Sequence, residues 1–178
     1  PMSVLRRRGA KLDGDRPAWL TGYGGFGIVI KPRMRARYRV WLDHGGIVAE
    51  ANLRGGSERG EEWHRAGMLT NKQNVFDDFA ACARALFDLG STKPERLAIS
   101  GGSNGGLLVG AALVQHPEMF RVAVAAVGLF DMLRAELSPN GAFNVTEFGS
   151  VKDETQFRAL YAYSPFHNVK DDVPYPAV

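Results

Sequence analysis

The sequence predicts an α/β domain with a mostly parallel sheet and flanking helices. Apolar, β-branched segments alternate with segments of helical character along the chain, which is the pattern of βαβ units. Two of the apolar runs, Ile47 to Leu53 and Val122 to Val127, are nearly continuous, as expected for central strands covered on both faces. At 178 residues the chain is one domain or part of one.

The first half of the chain begins with two short strands, followed by a glycine loop and a helix. Each is bounded by turn residues, and Gly45 and Gly46 end the helix. The predicted elements are strands at Met2 to Arg7 and Ala18 to Thr21, a loop at Gly22 to Gly27, and a helix at Arg35 to Leu42.

The central part contains most of the predicted sheet. After the strand Ile47 to Leu53, a polar loop leads into a helix that Gly90 closes, and a further strand precedes a second apolar helix ended by Pro117. The predicted ranges are a loop at Ser57 to Asn74, a helix at Val75 to Leu89, a strand at Arg96 to Ser100, a helix reaching His116, and a strand at Val122 to Val127. Beyond Leu129 the pattern is mixed, with helical character at Asp153 to Ala162 and the entry to another strand at Val173 to Val178.

A serine lies in the turn between the strand ending at Ser100 and the following helix. The string Gly101-Gly102-Ser103-Asn104-Gly105 fits the G-x-S-x-G nucleophile elbow of α/β-hydrolases, in which small residues let strand and helix pack closely around a strained turn. The string alone is weak evidence, because the chain contains 21 glycines and a structural turn is the alternative. The flanking strand and helix favour Ser103 as the nucleophile of an acyl-transfer enzyme.

A serine nucleophile needs a base and an acid that orients the base, in the chain order Ser, Asp or Glu, His. Only His116 and His167 follow Ser103. His116 ends the helix that begins at the elbow and faces away from the serine, and His167 has the setting of a loop histidine. Asp131 follows the strand after the elbow, where it could orient a base, but a cap on the next helix is the simpler role. The segment therefore offers no convincing base.

Composition argues against several other function classes. The net charge is +3, and the clusters Arg6 to Arg8 and Lys31 to Arg39 fit a solvated surface better than a nucleic-acid site. No apolar run approaches transmembrane length, and without a visible signal peptide we expect a cytoplasmic protein that contacts no membrane. The single cysteine, Cys82, excludes an intrachain disulfide. No residue spacing suggests zinc or a phosphate-binding loop, so we expect neither metal nor cofactor.

Several strings resemble motifs of the prolyl oligopeptidase family, in the order in which that family has them. They are Tyr23-Gly24-Gly25-Phe26, Asn52-Leu53-Arg54-Gly55-Gly56, Trp63-His64, Lys72 to Phe79, the elbow through Val109, and Tyr163-Ser164-Pro165. The resemblance implies an α/β-hydrolase fold and hydrolysis of short peptides. It also implies a β-propeller before Pro1 and a triad Asp and His after Val178, so that the chain is a C-terminally truncated part of the catalytic domain.

The resemblance also implies residue roles. Ser103 matches the nucleophile, the backbone N–H of Asn104 matches one oxyanion donor, and the Tyr23 hydroxyl matches the second. Without the resemblance, Tyr23 fits a turn aromatic that packs on the sheet.

Four further positions match the substrate pocket of the family. Phe26 and Leu129 match lining residues, and Phe148 stands where the family has a tyrosine. Asn144 stands where typical members have a tryptophan that stacks on the substrate proline, and an amide lacks that apolar face. Phe143 would supply such a face if the backbone shifted by one residue. This departure leaves open an esterase or aminopeptidase-like specificity, and the absent base leaves open a catalytically silent binding module.

Overall fold

The computed structural model describes residues 1–178 and contains one sheet of five strands in the order β1-β3-β2-β4-β5. Strand β1 pairs antiparallel with β3, and all other neighbours are parallel. The strands are β1 Met2–Leu5, β2 Ala18–Thr21, β3 Ile47–Ala51, β4 Leu97–Gly102 and β5 Val122–Ala126. The predicted α/β class with a mostly parallel sheet is confirmed.

Seven α-helices flank the sheet. They are α1 Ala36–Asp43, α2 Glu61–Arg65, α3 Gln73–Asp88, α4 Asn104–Gln115, α5 Gly141–Phe148, α6 Glu154–Tyr163 and α7 Pro165–Asn168. The main core is a cluster of 28 buried apolar residues between the sheet and the helices α3 and α4. Leu20 pairs with Ala49 and Ile99 in register at its centre, while Phe79 and Leu108 face it from the helices. Burying each such side chain contributes about 1.5–3 kcal/mol.

The two nearly continuous apolar runs differ in burial. All five residues of β3 are buried, as predicted for a central strand. Strand β5 is covered on one face only, because α4 packs over Ala123 while Val124 on the other face is 55% exposed. The prediction of two covered faces is wrong for β5. Its open face, together with Trp19 and Ser100, lines a cavity of about 710 Å³.

Two predicted irregular segments contain helices. The predicted loop Ser57 to Asn74 holds α2 and a 3₁₀ turn at Leu69–Asn71, and the mixed segment after Leu129 holds α5. Helix α5 was not predicted because Asn, Val and Thr at its centre have low helix propensity. Its buried residues Glu147 and Phe148 indicate that packing stabilises it instead.

The predicted strand entry near Val178 is present as a single bridge. Ala177 pairs in parallel with Val122, and its carbonyl accepts a hydrogen bond from the Ala123 N–H at 2.8 Å. The chain therefore continues the parallel order beside β5. Cys82 is buried on α3, and burial raises the pKa of its thiol. None of the helices combines the length and the apolar character required to cross a membrane.

Candidate active site

Ser103 stands alone between the last residue of β4 and the first residue of α4. Its backbone has φ 58° and ψ −122°, a combination that is strained for a residue with a side chain. The Ser103 N–H donates to the Ala126 carbonyl at 3.0 Å, and its own carbonyl accepts from the Gly106 N–H at 2.8 Å. These backbone contacts hold the strained turn and leave the serine exposed at the carboxyl edge of the sheet.

Glycines around Ser103 allow this close packing. A Cβ on Gly101 would overlap the carbonyl of Gly105 in the first turn of α4. A Cβ on Gly106 would lie 2.7 Å from Gly128 Cα, on the segment that follows β5. Real Cβ atoms do not approach backbone so closely, so the crossing of β4, α4 and this segment requires glycine at both positions. This is the geometry that a nucleophile elbow needs.

The loop Gly22–Gly27, here called the Tyr23 loop, packs against the elbow. A Cβ on Gly105 would lie 3.6 Å from Cδ2 of Tyr23, so the tyrosine ring borders the turn. The Asn104 side chain donates from Nδ2 to the Tyr23 carbonyl at 2.5 Å. Asn104 is the first residue of α4, so its own N–H has no partner within the helix. Ser103, Asn104 and Tyr23 thus lie together.

Three phenylalanines form an aromatic wall beside the Tyr23 loop. The ring of Phe26 stacks on Phe143 with a centroid distance of 5.1 Å and an interplanar angle of 2°. Phe148 meets Phe26 edge-on at 5.6 Å. Phe148 is buried, whereas Phe143 is 65% exposed.

The other two predicted pocket residues are less accessible. Leu129 is partly buried against the main core. Asn144 is only 8% exposed, because neighbours on a helix point about 100° apart and Phe143 takes the outward direction on α5. The aromatic face beside Phe26 therefore comes from Phe143.

The two histidines after Ser103 are engaged elsewhere. His116 ends α4, about 18 Å of helix from the serine. His167 Nδ1 lies 2.8 Å from Ser164 Oγ and 4.0 Å from Asp131 Oδ1, which superficially resembles a triad. However, Ser164 is fully buried, and its hydroxyl also contacts the Phe130 carbonyl and the Met132 N–H. This cluster is structural.

Sequence reasoning missed a buried ionic cluster below the Tyr23 loop. Lys72 Nζ lies 3.0 Å from Glu147 Oε1, and His64 Nε2 lies 2.8 Å from Glu147 Oε2. Lys72 and Glu147 are 75 positions apart, so no local pattern connects them. His64, which the sequence suggests is structural, contacts this carboxylate. No cluster of three or more His, Cys, Asp or Glu side chains has the arrangement of a metal site.

Comparison with known proteins identifies the family. Residues 32–178 match the prolyl oligopeptidase family. The prolyl endopeptidase of Elizabethkingia meningoseptica is 43% identical over 178 residues, and that of Dictyostelium discoideum is 41% identical over 181 residues. These matches cover 99% and 100% of this chain but only 25% and 24% of the relatives. The chain thus spans about a quarter of the length of these curated relatives.

Solved structures agree with the sequence matches. A prolyl endopeptidase structure superposes with a TM-score of 0.98 at 51% identity, covering 99% of this chain and 26% of that one. Oligopeptidase B from Leishmania major superposes with a TM-score of 0.91 at 34% identity, covering 96% of this chain and 24% of that one. Both the predicted resemblance and the predicted α/β-hydrolase fold are confirmed. The chain belongs to the prolyl oligopeptidase family.

Proposed function

We propose that the protein containing this chain is a serine peptidase that cleaves short peptides through an acyl-enzyme on Ser103. The observation that carries the proposal is the elbow, where an exposed serine with φ 58° joins β4 to α4. Membership of the prolyl oligopeptidase family supports it. No observation favours an esterase, an aminopeptidase-like enzyme or a catalytically silent module.

In this mechanism Ser103 Oγ loses its proton to a base and attacks the scissile carbonyl carbon. The carbonyl oxygen becomes an oxyanion that accepts hydrogen bonds from the Asn104 N–H and the Tyr23 hydroxyl. The protonated base then gives its proton to the leaving amine, and the acyl group remains on Ser103. A water molecule activated by the same base attacks the acyl-enzyme, releases the peptide acid and restores the serine.

We propose that the base, its orienting acid and an access-limiting propeller belong to other parts of the protein. Two observations support this proposal. Both histidines that follow Ser103 in the chain are engaged away from it. The matched relatives are also much longer, since this chain covers 25% of the Elizabethkingia meningoseptica enzyme. The predicted domain organisation, a partial catalytic domain at residues 1–178, follows from the same proposal.

The proposed pocket for the residue before the cleaved bond is the aromatic wall together with Leu129. Phe143 supplies the exposed ring on which a flat apolar proline would stack, Phe26 stacks behind that ring, and Phe148 meets Phe26 edge-on. Asn144 contributes to the pocket from its buried position on α5. This arrangement supports a preference for proline despite the missing tryptophan.

Peptide anilides ending in Gly-Pro and in Gly-Ala test the proposed activity on the full-length protein. We expect faster release of aniline after proline and a loss of about a million-fold in kcat for Ser103→Ala. Tyr23→Phe should lower kcat about a hundred-fold with little change in KM. The matched control is Tyr161→Phe, which removes a hydroxyl from the exposed face of α6. Unchanged hydrolysis by Ser103→Ala would refute the proposal.

The proline preference is tested separately with Phe143→Ala. We expect KM for the Gly-Pro anilide to rise about tenfold, since one aromatic stacking contact is lost. Phe166→Ala is the matched control, because Phe166 is a similarly exposed ring on α7. An equal effect of both variants would contradict a pocket role for Phe143.

A further inference from the structure

Lys72 and Glu147 form an ion pair in the interior that the proposed chemistry does not use. The side chain of Lys72 is fully buried and that of Glu147 is 2% exposed, with Nζ and Oε1 3.0 Å apart. Burying two charges is expensive, and an apolar pair of the same volume often gives equal or greater stability. The pair therefore needs an explanation other than stability.

Two further contacts of Lys72 reach residues of the proposed active site. Lys72 Nζ donates to the Gly24 carbonyl in the Tyr23 loop at 2.9 Å and lies 5.1 Å from the ring centroid of Phe148. The second oxygen of Glu147 lies 2.8 Å from His64 Nε2. One ammonium thus connects the Tyr23 loop to the carboxylate on α5, the helix that carries Phe143 and Phe148 of the aromatic wall.

The Tyr23 loop needs such an anchor. Gly24 has φ 66° and Phe26 has φ 55°, and a phenylalanine in this region keeps its conformation only when its surroundings fix it. Two side chains donate hydrogen bonds to successive backbone carbonyls of the loop: Asn104 to that of Tyr23, and Lys72 to that of Gly24. The Asn104 contact ties the loop to the elbow, and the Lys72 contact ties it to the protein interior.

Burial and the Glu147 carboxylate act in opposite directions on the charge of Lys72. Burial lowers the pKa of Lys72, and the Glu147 carboxylate opposes that change through charge and hydrogen bonding. A hydrogen bond from an ammonium is shorter and stronger than one from a neutral donor. The cationic form of Lys72 can therefore hold the Gly24 carbonyl firmly in a dry environment.

We propose that Lys72 and Glu147 are positioning residues, which hold the Gly24 carbonyl and thereby orient the Tyr23 hydroxyl toward the oxyanion and keep the Phe26 ring stacked on Phe143. This inference rests on the proposed function, because it assigns the pair to the same reaction. Neither residue touches substrate. Lys72 acts through the Tyr23 loop, and Glu147 acts through Lys72.

The first experiment separates positioning from charge burial by replacing both partners in the full-length protein. Lys72→Met alone leaves Glu147 without its main counter-charge, so the thermal midpoint of this single variant should fall. Adding Glu147→Gln removes that charge, and we expect the thermal midpoint to return close to that of the wild type. The kcat for the Gly-Pro anilide should nevertheless stay at least about tenfold below wild type, because the Gly24 anchor is absent. Recovery of both quantities in the double variant would overturn the inference.

A second experiment adds the same double substitution to Tyr23→Phe. Since the positioned hydroxyl is already absent there, we expect a further loss in kcat of less than about threefold. In the control background Tyr161→Phe the full loss of about tenfold should appear. Full losses in both backgrounds would contradict positioning of Tyr23. A wild-type protein that cleaves no peptide would refute the proposed function itself, which distinguishes the two failures.

His64 provides a test that does not depend on folding of the double variant. It contacts Glu147 from a partly exposed position, and His64→Gln retains an N–H donor that His64→Ala lacks. With a small acyl ester as substrate, we expect kcat to fall several-fold further in His64→Ala than in His64→Gln. Both variants should keep the wild-type KM for that ester. Wild-type kcat in both variants would count against the role of the cluster.

Discussion

Two adjacent glycines in the elbow differ sharply in the space available for a side chain. A Cβ on Gly101 would overlap the carbonyl of Gly105 and lie 3.0 Å from its Cα, all of which are backbone atoms of α4. A Cβ on Gly102 would meet only the Ala126 carbonyl oxygen at 3.7 Å and the Ala126 Cβ at 3.9 Å, which are ordinary contacts. The substitutions Gly101→Ala and Gly102→Ala therefore form a matched pair.

The expected magnitudes follow from these contacts. Overpacking costs about 1–3 kcal/mol, and Gly101→Ala should lie at the upper end because helix backbone cannot move aside as a flexible side chain would. A loss of about 3 kcal/mol would lower the thermal midpoint by roughly 6 to 12 °C in a domain of about 150–250 residues, and by less in a larger catalytic domain. Gly102→Ala adds one methyl group in ordinary van der Waals contact with Ala126, and its effect should stay within about 0.5 kcal/mol.

Calorimetry of the full-length protein and the rate of fluorophosphonate labelling at Ser103 measure the two effects. We expect Gly101→Ala to lower both the thermal midpoint and the labelling rate, because the shifted helix changes the orientation of the Asn104 N–H relative to Ser103 Oγ. We expect Gly102→Ala to match the wild type in both. Equal thermal midpoints of the two variants, or a lower one for Gly102→Ala, would refute this interpretation of the elbow.

Two further predictions concern stability. Tyr163→Phe should stabilise the fold by about 1 kcal/mol, because the buried Tyr163 hydroxyl has no hydrogen-bond partner. Burial and Glu147 raise the pKa of Tyr163 above its ordinary 10.0, so the free energy of unfolding should fall above pH 10.0, where the unfolded chain loses the phenol proton first. Urea unfolding should show a weaker fall in Tyr163→Phe. A Tyr163→Phe variant less stable than the wild type would contradict the prediction. Asp153 caps α6 by accepting a hydrogen bond from the Gln156 N–H at 2.9 Å, so Asp153→Ala should lower the free energy of unfolding by about 1 kcal/mol in the same assay. An unchanged free energy of unfolding would show the cap to be unimportant.

The elbow was predictable from sequence because the strand, the turn and the helix that form it are consecutive in the chain. The apolar run before Ser103, the glycines on both sides and the apolar helix after it stand next to one another in the chain. The position of Tyr23 beside it depended on the family resemblance, since Tyr23 and Asn104 are 81 positions apart. Only the parallel pairing of β2 with β4 brings them to one edge of the sheet.

Features set by tertiary contacts were not predictable. The central residues of α5 favour other conformations, and the helix forms because Glu147 and Phe148 are buried beside Lys72. The outward direction of Phe143 follows from the helical phase of α5, which the sequence pattern alone leaves undetermined. The open face of β5 was missed because apolar residues such as Val124 have the same pattern whether or not another element covers them.

The site of covalent modification by a fluorophosphonate in the full-length protein shows whether Ser103 is the nucleophile. The probe reacts with an activated serine, so peptide mapping by mass spectrometry identifies the nucleophile. We predict a single adduct on Ser103 that disappears in Ser103→Ala and persists in Ser164→Ala, where the substituted hydroxyl is buried. A protein that cleaves peptides yet carries its adduct on another residue, or none on Ser103, would contradict the account.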